Sequence, residues 1–518
     1  PAWLDRDRFV LSAGHASAML YSTLHLCGYP LTLEDLKNFR QLGSVTSGHP
    51  EYDPKIGVES TTGPLGQGIG MAVGMAIAEK LLAARYPDTT DHFTWVLSGE
   101  GCLMEGISHE ACSLAGTLEL KKLILLFDNN NNTIDGRGSL ACTDDYVMRF
   151  KSYGWDTFTV DGHDFDALEK VMLAARESSA PAFIQCKTRI GKFSPLEDSH
   201  SAHGSVLGMD RATLTRRNLG LDETSFYIPE DVKLQWKESA RQRGVAYADW
   251  QSQFNALSSE DQDFCRAVSI GRERLDGVID KFKAEQSAEP SAATRSLSGH
   301  VLERLVASFP ELIGGSADLT GPNCTHTSAS IALNSSDAAA NYLHYGVREH
   351  AMGAIMNGLA LHGPFTPYGG TFLAFADYMK PAIRLCALMN RRVVYVMTHD
   401  SIALGEDGPT HQPVEQLSTY RALPNLTVLR PADRQEVAEA WQVALEQQGP
   451  SMLVLSRQAV RDTGQPYRKS NQVKLGGYLL SAAETEPQVT LIASGSEVPL
   501  ALQAAQALDG EFACDVVS

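Results

Sequence analysis

Short apolar runs recur along this chain, each closed by glycine or a polar turn and followed by a longer segment whose apolar positions keep helical spacing. Arg8-Phe9-Val10-Leu11-Ser12 reads as a first strand, with an apolar helix after it through Leu26, and Ile69 to Arg85 reads as a long helix. His92-Phe93-Thr94-Trp95-Val96-Leu97 and Lys122-Leu123-Ile124-Leu125-Leu126-Phe127 are the next strands, separated by an amphipathic helix. Asp144 to Gly154 forms a short helix and Thr157-Phe158-Thr159-Val160 another strand. Asp164-Phe165-Asp166 caps a helix running to about Ser178, with its acids where the helix dipole favours them. Ala182-Phe183-Ile184-Gln185-Cys186 is the last clear strand of this part. Strands alternating with helices predict parallel sheets with helical crossovers, an α/β fold.

Beyond this lies a polar loop carrying His200 and His203, expected to be flexible and long enough to act as a flap. From Leu221 to Ala293 the alternation gives way to charged helical segments, ending in the linker-like Ala284-Glu285-Gln286-Ser287-Ala288-Glu289-Pro290. Alternation resumes at Arg295 and holds to about Tyr467, with a strand at Leu312-Ile313, helices over Arg348 to Leu361 and Phe372 to Met389, and strands at Val393–Val396 and Met452–Leu455. A third region from near Gly477 reads as one strand, one helix and the beginning of another strand. The expected organisation is therefore a first α/β domain (1–220), a helical linker (221–294), a second α/β domain (295–467) and the start of a third (468–518).

Bulk composition narrows the function classes. At 518 residues two or three domains are expected, and 43% hydrophobic with 20% charged residues is the make-up of a globular protein in water. A net charge of −18 argues against a nucleic-acid surface. Nine cysteines without a CxxC pair indicate neither a disulfide framework nor a zinc site, and point to a reducing cytoplasm. No apolar run approaches a membrane span and none reads as a signal peptide. The chain starts Pro1-Ala2-Trp3 and stops at Val516-Val517-Ser518 just after a strand-like run, as two cuts through a longer polypeptide would leave it.

Candidate chemistry begins at Gly99-Glu100-Gly101-Cys102 and the run Asp128-Asn129-Asn130-Asn131-Asn132. An acid at the end of one parallel strand and a carboxamide at the end of the next can meet at the carboxyl edge of a sheet. Hard oxygen ligands of that kind suit Mg²⁺ or Ca²⁺, above all when a bound diphosphate adds further oxygens. Thr61-Thr62-Gly63-Pro64-Leu65-Gly66-Gln67-Gly68 opens the long helix with glycines that let backbone close on an anion. Its spacing does not fit a dinucleotide fingerprint, and no GKS or GKT follows. His15 sits at a strand-to-helix junction and His49 in the turn Ser47-Gly48-His49-Pro50; each alone is more often a satisfied polar group than a catalyst.

Taken together these segments resemble transketolase, a thiamine-diphosphate-dependent family, over nearly the whole chain. The similarity runs through Asp7-Arg8-Phe9-Val10-Leu11-Ser12, Thr62 to Gly68, Met104-Glu105-Gly106-Ile107-Ser108-His109-Glu110 and His344-Tyr345-Gly346-Val347-Arg348-Glu349. It is most specific in His399-Asp400-Ser401 and Gly405-Glu406-Asp407-Gly408-Pro409-Thr410-His411-Gln412-Pro413. The resemblance implies two thiamine-diphosphate-binding-type domains, the first for the diphosphate and metal and the second for the pyrimidine. It implies transfer of a two-carbon glycolaldehyde unit from a ketose phosphate to an aldose phosphate, through a covalent cofactor intermediate. By the same resemblance Glu349 hydrogen-bonds the pyrimidine N1′, and Phe375 packs on that ring, with Phe372 and Tyr378 completing one helical face. Gly63, Pro64, Leu65 and Gly101 contact the cofactor, and Glu100, the Asn130 side chain and the Asn132 carbonyl bind the metal, Mg²⁺ with Ca²⁺ or Mn²⁺ as substitutes. His15, His49, His203 and His411 steer protons, Arg295, Arg457 and His399 grip a sugar phosphate, and Asp407 reads substrate hydroxyls. Cofactor halves on different domains imply a homodimer with the cofactor between subunits. A related ketol-transferring enzyme such as a dihydroxyacetone synthase, and a catalytically weak paralogue with a binding role, are the alternatives.

Three positions depart from the family pattern. Glu100 stands where Gly-Asp-Gly is expected, so its longer carboxylate must fold back or the metal must move. Asn131 replaces a glycine, a change tolerated because asparagine accepts positive φ. Pro322, in Gly321-Pro322-Asn323-Cys324, replaces a serine at the phosphate end, removing a hydroxyl donor. The resemblance also implies a missing N-terminal segment, with a further channel histidine in a Ser-Gly-His-Pro turn, and a C-terminal domain that is mostly absent.

Overall fold

The structure is a computed structural model that describes residues 3–266, 270–285, 290–334 and 340–518. The chain divides into two compact units, residues 1–263 and 264–518. In the first, β1 (Arg8–Leu11), β2 (Thr94–Ser98), β3 (Leu123–Asn129), β4 (Asp156–Asp161) and β5 (Ala182–Lys187) form one sheet in the order β1-β2-β3-β5-β4. Every neighbouring pair is parallel. Apolar side chains fill both faces of β3, where Leu123, Ile124, Leu125 and Phe127 are all buried, as expected of a strand covered by helices on each side.

The helix Gln67–Arg85 is buried over most of its circumference, from Gln67 to Leu82. Its glycines and alanines permit this. A Cβ at Gly68 would fall 2.7 Å from the Ser12 Cα, so the helix can approach the β1 turn only without a side chain there. As expected, Asp164 caps the helix Phe165–Arg176 by accepting from the Ala167 amide, and the short helix expected over Asp144–Gly154 is Tyr146–Ser152, capped by Asp145. The segment expected as an open flap instead contains two helices, Ser201–Gly204 and Gly208–Asn218. The second has only Met209, Ala212 and Leu214 as apolar side chains and buries none of them, so it carries no amphipathic signal.

The second unit begins with helix Arg272–Ala284 after the 7-residue helix ending at Cys265. Residues 286–289 of the expected linker lie outside the described residues. Then follow β6 (Ser291–Ala293), β7 (Leu312–Ser316), β8 (Tyr342–His344), β9 (Thr366–Phe372), β10 (Val394–Thr398), β11 (Thr427–Leu429), β12 (Ser451–Leu455) and β13 (Ala459–Arg461). Six of these make a parallel sheet in the order β11-β12-β10-β9-β7-β8, while β13 pairs antiparallel with β6. Phe372 is the last residue of β9, not the first of a helix. Leu373–Phe375 form a 3₁₀ turn, and the helix runs Ala376–Met389. The expected single helical face of Phe372, Phe375 and Tyr378 therefore does not form: the ladder to β10, in which Phe372 pairs with Thr398, holds Phe372 extended, and Tyr378 is 67% exposed.

The C-terminal region adds β14 (Leu479–Ser481), β15 (Val489–Ile492) and β16 (Cys514–Val517) around helix Val498–Ala507. That is one strand more than the sequence pattern indicates; β14 is short and half exposed, and pairs antiparallel with β16. No helix among the described residues is long and apolar enough to cross a membrane, and all nine cysteines are free thiols.

Glu79 is the costly residue of the buried helix Gln67–Arg85. It is 4% exposed, and burial pushes its carboxyl from 4.5 to about 8, with Lys122 opposing and Asp91 and Asp5 reinforcing the shift. An unfolded chain releases this proton near pH 4.5, whereas the native state holds it to about 8, so folding binds a proton across that window. Stability contributed by this group is therefore complete below pH 4.5 and lost as pH rises through about 8. Urea unfolding of Glu79→Gln beside the parent should give a difference that grows by about 1 kcal/mol per pH unit across the window. Parallel stability curves would refute the assignment.

Candidate functional site

Parallel strands in register place their C-terminal residues side by side, and both sheets use this. In the first unit Ser98 of β2 lies opposite Phe127 of β3, so Glu100 and the Asn129–Asn132 turn leave the sheet together. A cavity of about 180 Å³ opens there, lined by His15, Leu65, Glu100, Gly101, Asp128, Asn130, Asn132 and His203 among others. All of these except Asp128 are predicted site residues, now sharing one cavity. His49, Gly63 and Pro64 lie on the adjoining loops: a Cβ on Gly63 would fall 3.3 Å from the His49 Cβ, and one on Gly14 would fall 2.8 Å from the Gly63 nitrogen. Gly63 has φ 132°, a conformation that with this close packing reserves the position for glycine. The Thr62 hydroxyl donates to the Leu11 carbonyl at 2.8 Å and so ties this loop to β1.

Glu100 is 7% exposed and its Oε2 is buried without a hydrogen-bond partner. Burial, then the charge of Asp128, raises its pKa. The extra methylene is taken up by folding the carboxylate onto Gly138, where an ideal Cβ would lie 2.3 Å from Oε1 and 2.5 Å from Oε2. The loop 131–138 that carries this glycine turns at Asn131, φ 54°, and the Gly138 amide donates to the Asn131 carbonyl at 3.0 Å. Asn131 therefore adopts the positive φ that its replacement of glycine requires. The Asn130 carboxamide is fixed at both ends: Nδ2 donates to Asp128 at 2.8 Å, and Oδ1 accepts from the Asn132 amide at 3.0 Å. Asp128 is anchored in turn by the Thr188 hydroxyl. Asp128 and Gly138 were not singled out by sequence reasoning. The first was legible as an acid at the end of β3; the second only through space.

His15 and His203 face each other with ring centroids 4.6 Å apart. Burial lowers the pKa of both, and for His15 the neighbouring His203 and His49 add to the effect. Both rings are thereby kept neutral, able to take up a proton. Among the described residues no group of three His, Cys, Asp or Glu side chains is placed to hold a metal; the oxygens lining this cavity belong to the carboxylates of Glu100 and Asp128 and the carboxamides of Asn130 and Asn132, hard donors of the kind a cation sharing diphosphate oxygens uses.

In the second unit the register sets Thr398 of β10 beside Phe372 of β9 and Leu455 of β12. His399, Phe372 and Arg457 thus emerge at one edge. The Phe372 ring stacks on His399 at 3.7 Å and on Phe375 at 5.7 Å, and His411 meets Phe375 edge-on at 5.0 Å. Arg295 is brought to the same edge by reciprocal bonds, Thr294 N to Ser456 Oγ at 3.0 Å and Ser456 N to Thr294 Oγ1 at 2.7 Å. Arg295 donates to the Pro322 carbonyl at 2.8 Å, while its Nε is buried without a partner; Arg457 is held by Glu406. Asp407 is exposed in the 3₁₀ turn Gly405–Asp407.

Glu349 opens the helix Glu349–His362 and is 8% exposed. Burial raises its pKa, against a backbone hydrogen bond and a weaker bond from the Thr371 hydroxyl at 3.3 Å. Its neighbour Arg348 donates to the Tyr345 carbonyl at 3.0 Å. Through Thr371, the residue before Phe372 in β9, this carboxyl is placed next to the Phe372–Phe375 stack.

Comparison with known proteins assigns a family to each region of the chain. Residues 1–271 match the family description "Transketolase, thiamine diphosphate binding domain", residues 290–463 "Transketolase, pyrimidine binding domain", and residues 476–518 "Transketolase-like TK C-terminal domain". The chain is 47% identical over 529 residues to a transketolase of Sinorhizobium medicae, covering 100% of this chain and 76% of that protein. A transketolase structure from Leishmania mexicana superposes with TM-score 0.93 at 41% identity, covering 100% of this chain and 78% of that one. A Pichia stipitis transketolase in complex with sedoheptulose-7-phosphate gives TM-score 0.93 at 41% identity, with 100% and 79% coverage. With the acid–amide cavity on one sheet and the buried glutamate beside stacked aromatics on the other, these similarities place the chain in the transketolase family.

Proposed function

We propose that this transketolase moves a two-carbon glycolaldehyde unit from a ketose phosphate to an aldose phosphate using the residues of its two half-sites in the following roles. Glu100, Asn130 and the Asn132 carbonyl hold a divalent cation, Mg²⁺ with Ca²⁺ or Mn²⁺ tolerated, and Gly63, Pro64, Leu65 and Gly101 surround the diphosphate. The orphaned Glu100 Oε2 supports this, because a carboxylate oxygen buried without a donor is costly until a cation meets it. Bound thiamine diphosphate supplies a carbon nucleophile at its thiazolium C2, chemistry that no side chain offers.

Glu349 carries the reading. Its carboxyl is kept from water and so holds a proton to higher pH than a free glutamate, which suits it to hydrogen-bond N1′ of the pyrimidine, with Phe375 packing on that ring. His15 and His203, kept neutral by burial, accept protons from the substrate, as do His49 and His411. Arg295, Arg457 and His399 hold the sugar phosphate, for which arginine's planar fork is suited, and Asp407 reads a hydroxyl. The buried, unpaired Arg295 Nε supports an anion at this edge, and the sugar phosphate held by the Pichia stipitis relative fits it. The reading extends to a homodimer with the cofactor between subunits, a place in the pentose phosphate pathway, the cytoplasm that nine free thiols favour, and the four-part division at residues 220, 294 and 467.

A coupled assay with xylulose 5-phosphate and ribose 5-phosphate should show turnover with thiamine diphosphate and Mg²⁺. Glu349→Ala should lower kcat by about 10²-fold or more. No turnover by the parent at full cofactor occupancy would overturn the reading.

The contact between Glu100 and Gly138 predicts a metal-binding cycle. In Gly138→Ala the new methyl displaces the carboxylate, and Mn²⁺ affinity followed by electron paramagnetic resonance should fall about ten-fold while the thermal midpoint stays close to the parent's. Glu100→Asp alone should tighten Mg²⁺ binding, and Glu100→Asp/Gly138→Ala should recover what Gly138→Ala loses. An unchanged Mn²⁺ affinity in Gly138→Ala, or Mg²⁺ bound no better by Glu100→Asp, contradicts the assignment.

At the phosphate end Pro322 offers no hydroxyl. A charged hydrogen bond is worth about 1.5–3 kcal/mol, so Pro322→Ser should raise kcat/KM for phosphorylated sugars about ten-fold and leave free sugars unaffected. A strong phosphate preference already present in the parent, and not increased by serine, argues against it.

A further inference from the structure

His399 directly follows β10, and its backbone is held in the left-handed region, with φ 60°. A residue with a side chain is uncommon there and stays only where its neighbours fix it on both sides. On the strand side the ladders do so, since Thr398 pairs with Phe372 of β9 and with Leu455 of β12. On the other side the anchor is Asp400. Its side chain is 1% exposed, and its Oδ2 accepts from Arg430 Nε at 2.8 Å, with Arg430 Nη2 2.7 Å from the same oxygen. Oδ1 is buried without a partner, so compensation of this buried charge falls to Arg430.

Arg430 directly follows β11 and is itself anchored by the C-terminal region. Its Nη1 donates to the Ser494 carbonyl at 3.0 Å, its Nη2 to the Ser496 hydroxyl at 3.1 Å, and both to Glu497. With Asp400 these contacts engage all three nitrogens of the guanidinium, so Arg430 is a support and not a further phosphate arginine. Gly495 lets the turn Gly495–Glu497 lie against it: φ there is 60°, and an ideal Cβ would fall 2.7 Å from Arg430 Cγ and 2.9 Å from Nε. A continuous line of bonds thus runs from residues 494–497 through Arg430 to Asp400, and so to the backbone of His399.

We infer that Arg430 and Asp400 are positioning residues, clamped by the 494–497 turn of the C-terminal region, that hold His399 in the left-handed conformation from which its ring reaches the sugar phosphate. This deepens the assignment of His399 to the sugar-phosphate group and rests on it. In that conformation the ring stacks on Phe372 at 3.7 Å and is 3% exposed, close enough to Arg295 and Arg457 for their charges to act on it. Without the carboxylate anchor the backbone at 399 relaxes to negative φ, which swings the imidazole off Phe372 and away from the arginines. The C-terminal region supplies none of the residues assigned to cofactor or substrate, yet through this clamp it sets the affinity for the phosphate.

In full-chain protein carrying ¹³C-labelled histidine, the His399 ring signals, identified by their loss in His399→Gln, should lie upfield because the Phe372 ring is stacked on them. Asp400→Asn keeps the shape and removes the charge, and in Gly495→Ala the new methyl displaces the Arg430 stem. Each should reduce the upfield displacement, while Leu500→Ala, exposed on the helix Val498–Ala507, leaves it unchanged. In the same two variants kcat/KM for xylulose 5-phosphate should fall about ten-fold through KM, the worth of one charged hydrogen bond. Their kcat, and their kcat/KM for unphosphorylated xylulose, should stay within about two-fold of the parent's. His399 signals that stay in place in both variants, or that move as far in Leu500→Ala, overturn the inference. An equal loss with xylulose and xylulose 5-phosphate, which a general loosening of the fold produces, overturns it as well. Because the spectra need no turnover, the expected displacements in a protein that turns over no sugar phosphate would overturn the functional reading and leave the clamp standing.

Discussion

A carboxylate withheld from water needs a cation, a set of donors or a proton, and this constraint is applied at both candidate half-sites. Glu100, at the carboxyl edge of the first sheet, has an orphaned oxygen and the acidic Asp128 as its neighbour, a combination that favours either a proton or a bound cation. Glu349, beside the second sheet, has a backbone hydrogen bond and a weak hydroxyl bond against its burial, and burial prevails, raising its pKa. The company differs: Asp128, Asn130 and Asn132 line the cavity of one carboxyl, and the other is bonded to Thr371, next to Phe372 in β9. Lys283 and Glu439 display the third resolution, a buried pair at 2.5 Å with both side chains nearly inaccessible.

Parallel sheets make such groupings inexpensive in chain length. Each strand contributes its last residue and the turn after it to a common edge, so residues far apart in sequence meet without long loops. Thr398, Phe372 and Leu455 are level across β10, β9 and β12, and their successors include His399 and Arg457. Ser316 is level with Gly370 on the adjoining pair. The candidate site is therefore largely a product of register, with loops such as 405–411 adding exposed groups afterwards.

Strand–helix alternation and the ends of β2 and β3 were readable because apolar runs and caps are local signals, and Glu100 with Asn130 followed from them. β9 was not. Thr366-Pro367-Tyr368-Gly369-Gly370 has proline and paired glycines where a strand is expected to show β-branched residues, so Phe372 read as the start of a helix. The glycines are explained only by neighbours in space: a Cβ on Gly369 would strike the Met356 sulfur at 2.6 Å, and one on Gly370 the Asn323 carboxamide. Gly138 is hidden for the same reason, since nothing near it in sequence mentions Glu100.

Glu100 and Gly138 also constrain how this sequence could have changed. The carboxylate occupies the volume that any side chain at 138 would need, so the longer acid fits in this place only where that residue is already bare. A route from aspartate to glutamate at position 100 is thus open in one order and obstructed in the other: the loop has to lose its side chain first, while the shorter acid is still present. Once the glutamate is seated, the glycine cannot revert without expelling it. Two positions 38 residues apart are in this way bound to a shared history, and an alignment of close relatives should show glutamate at the first accompanied by glycine at the second.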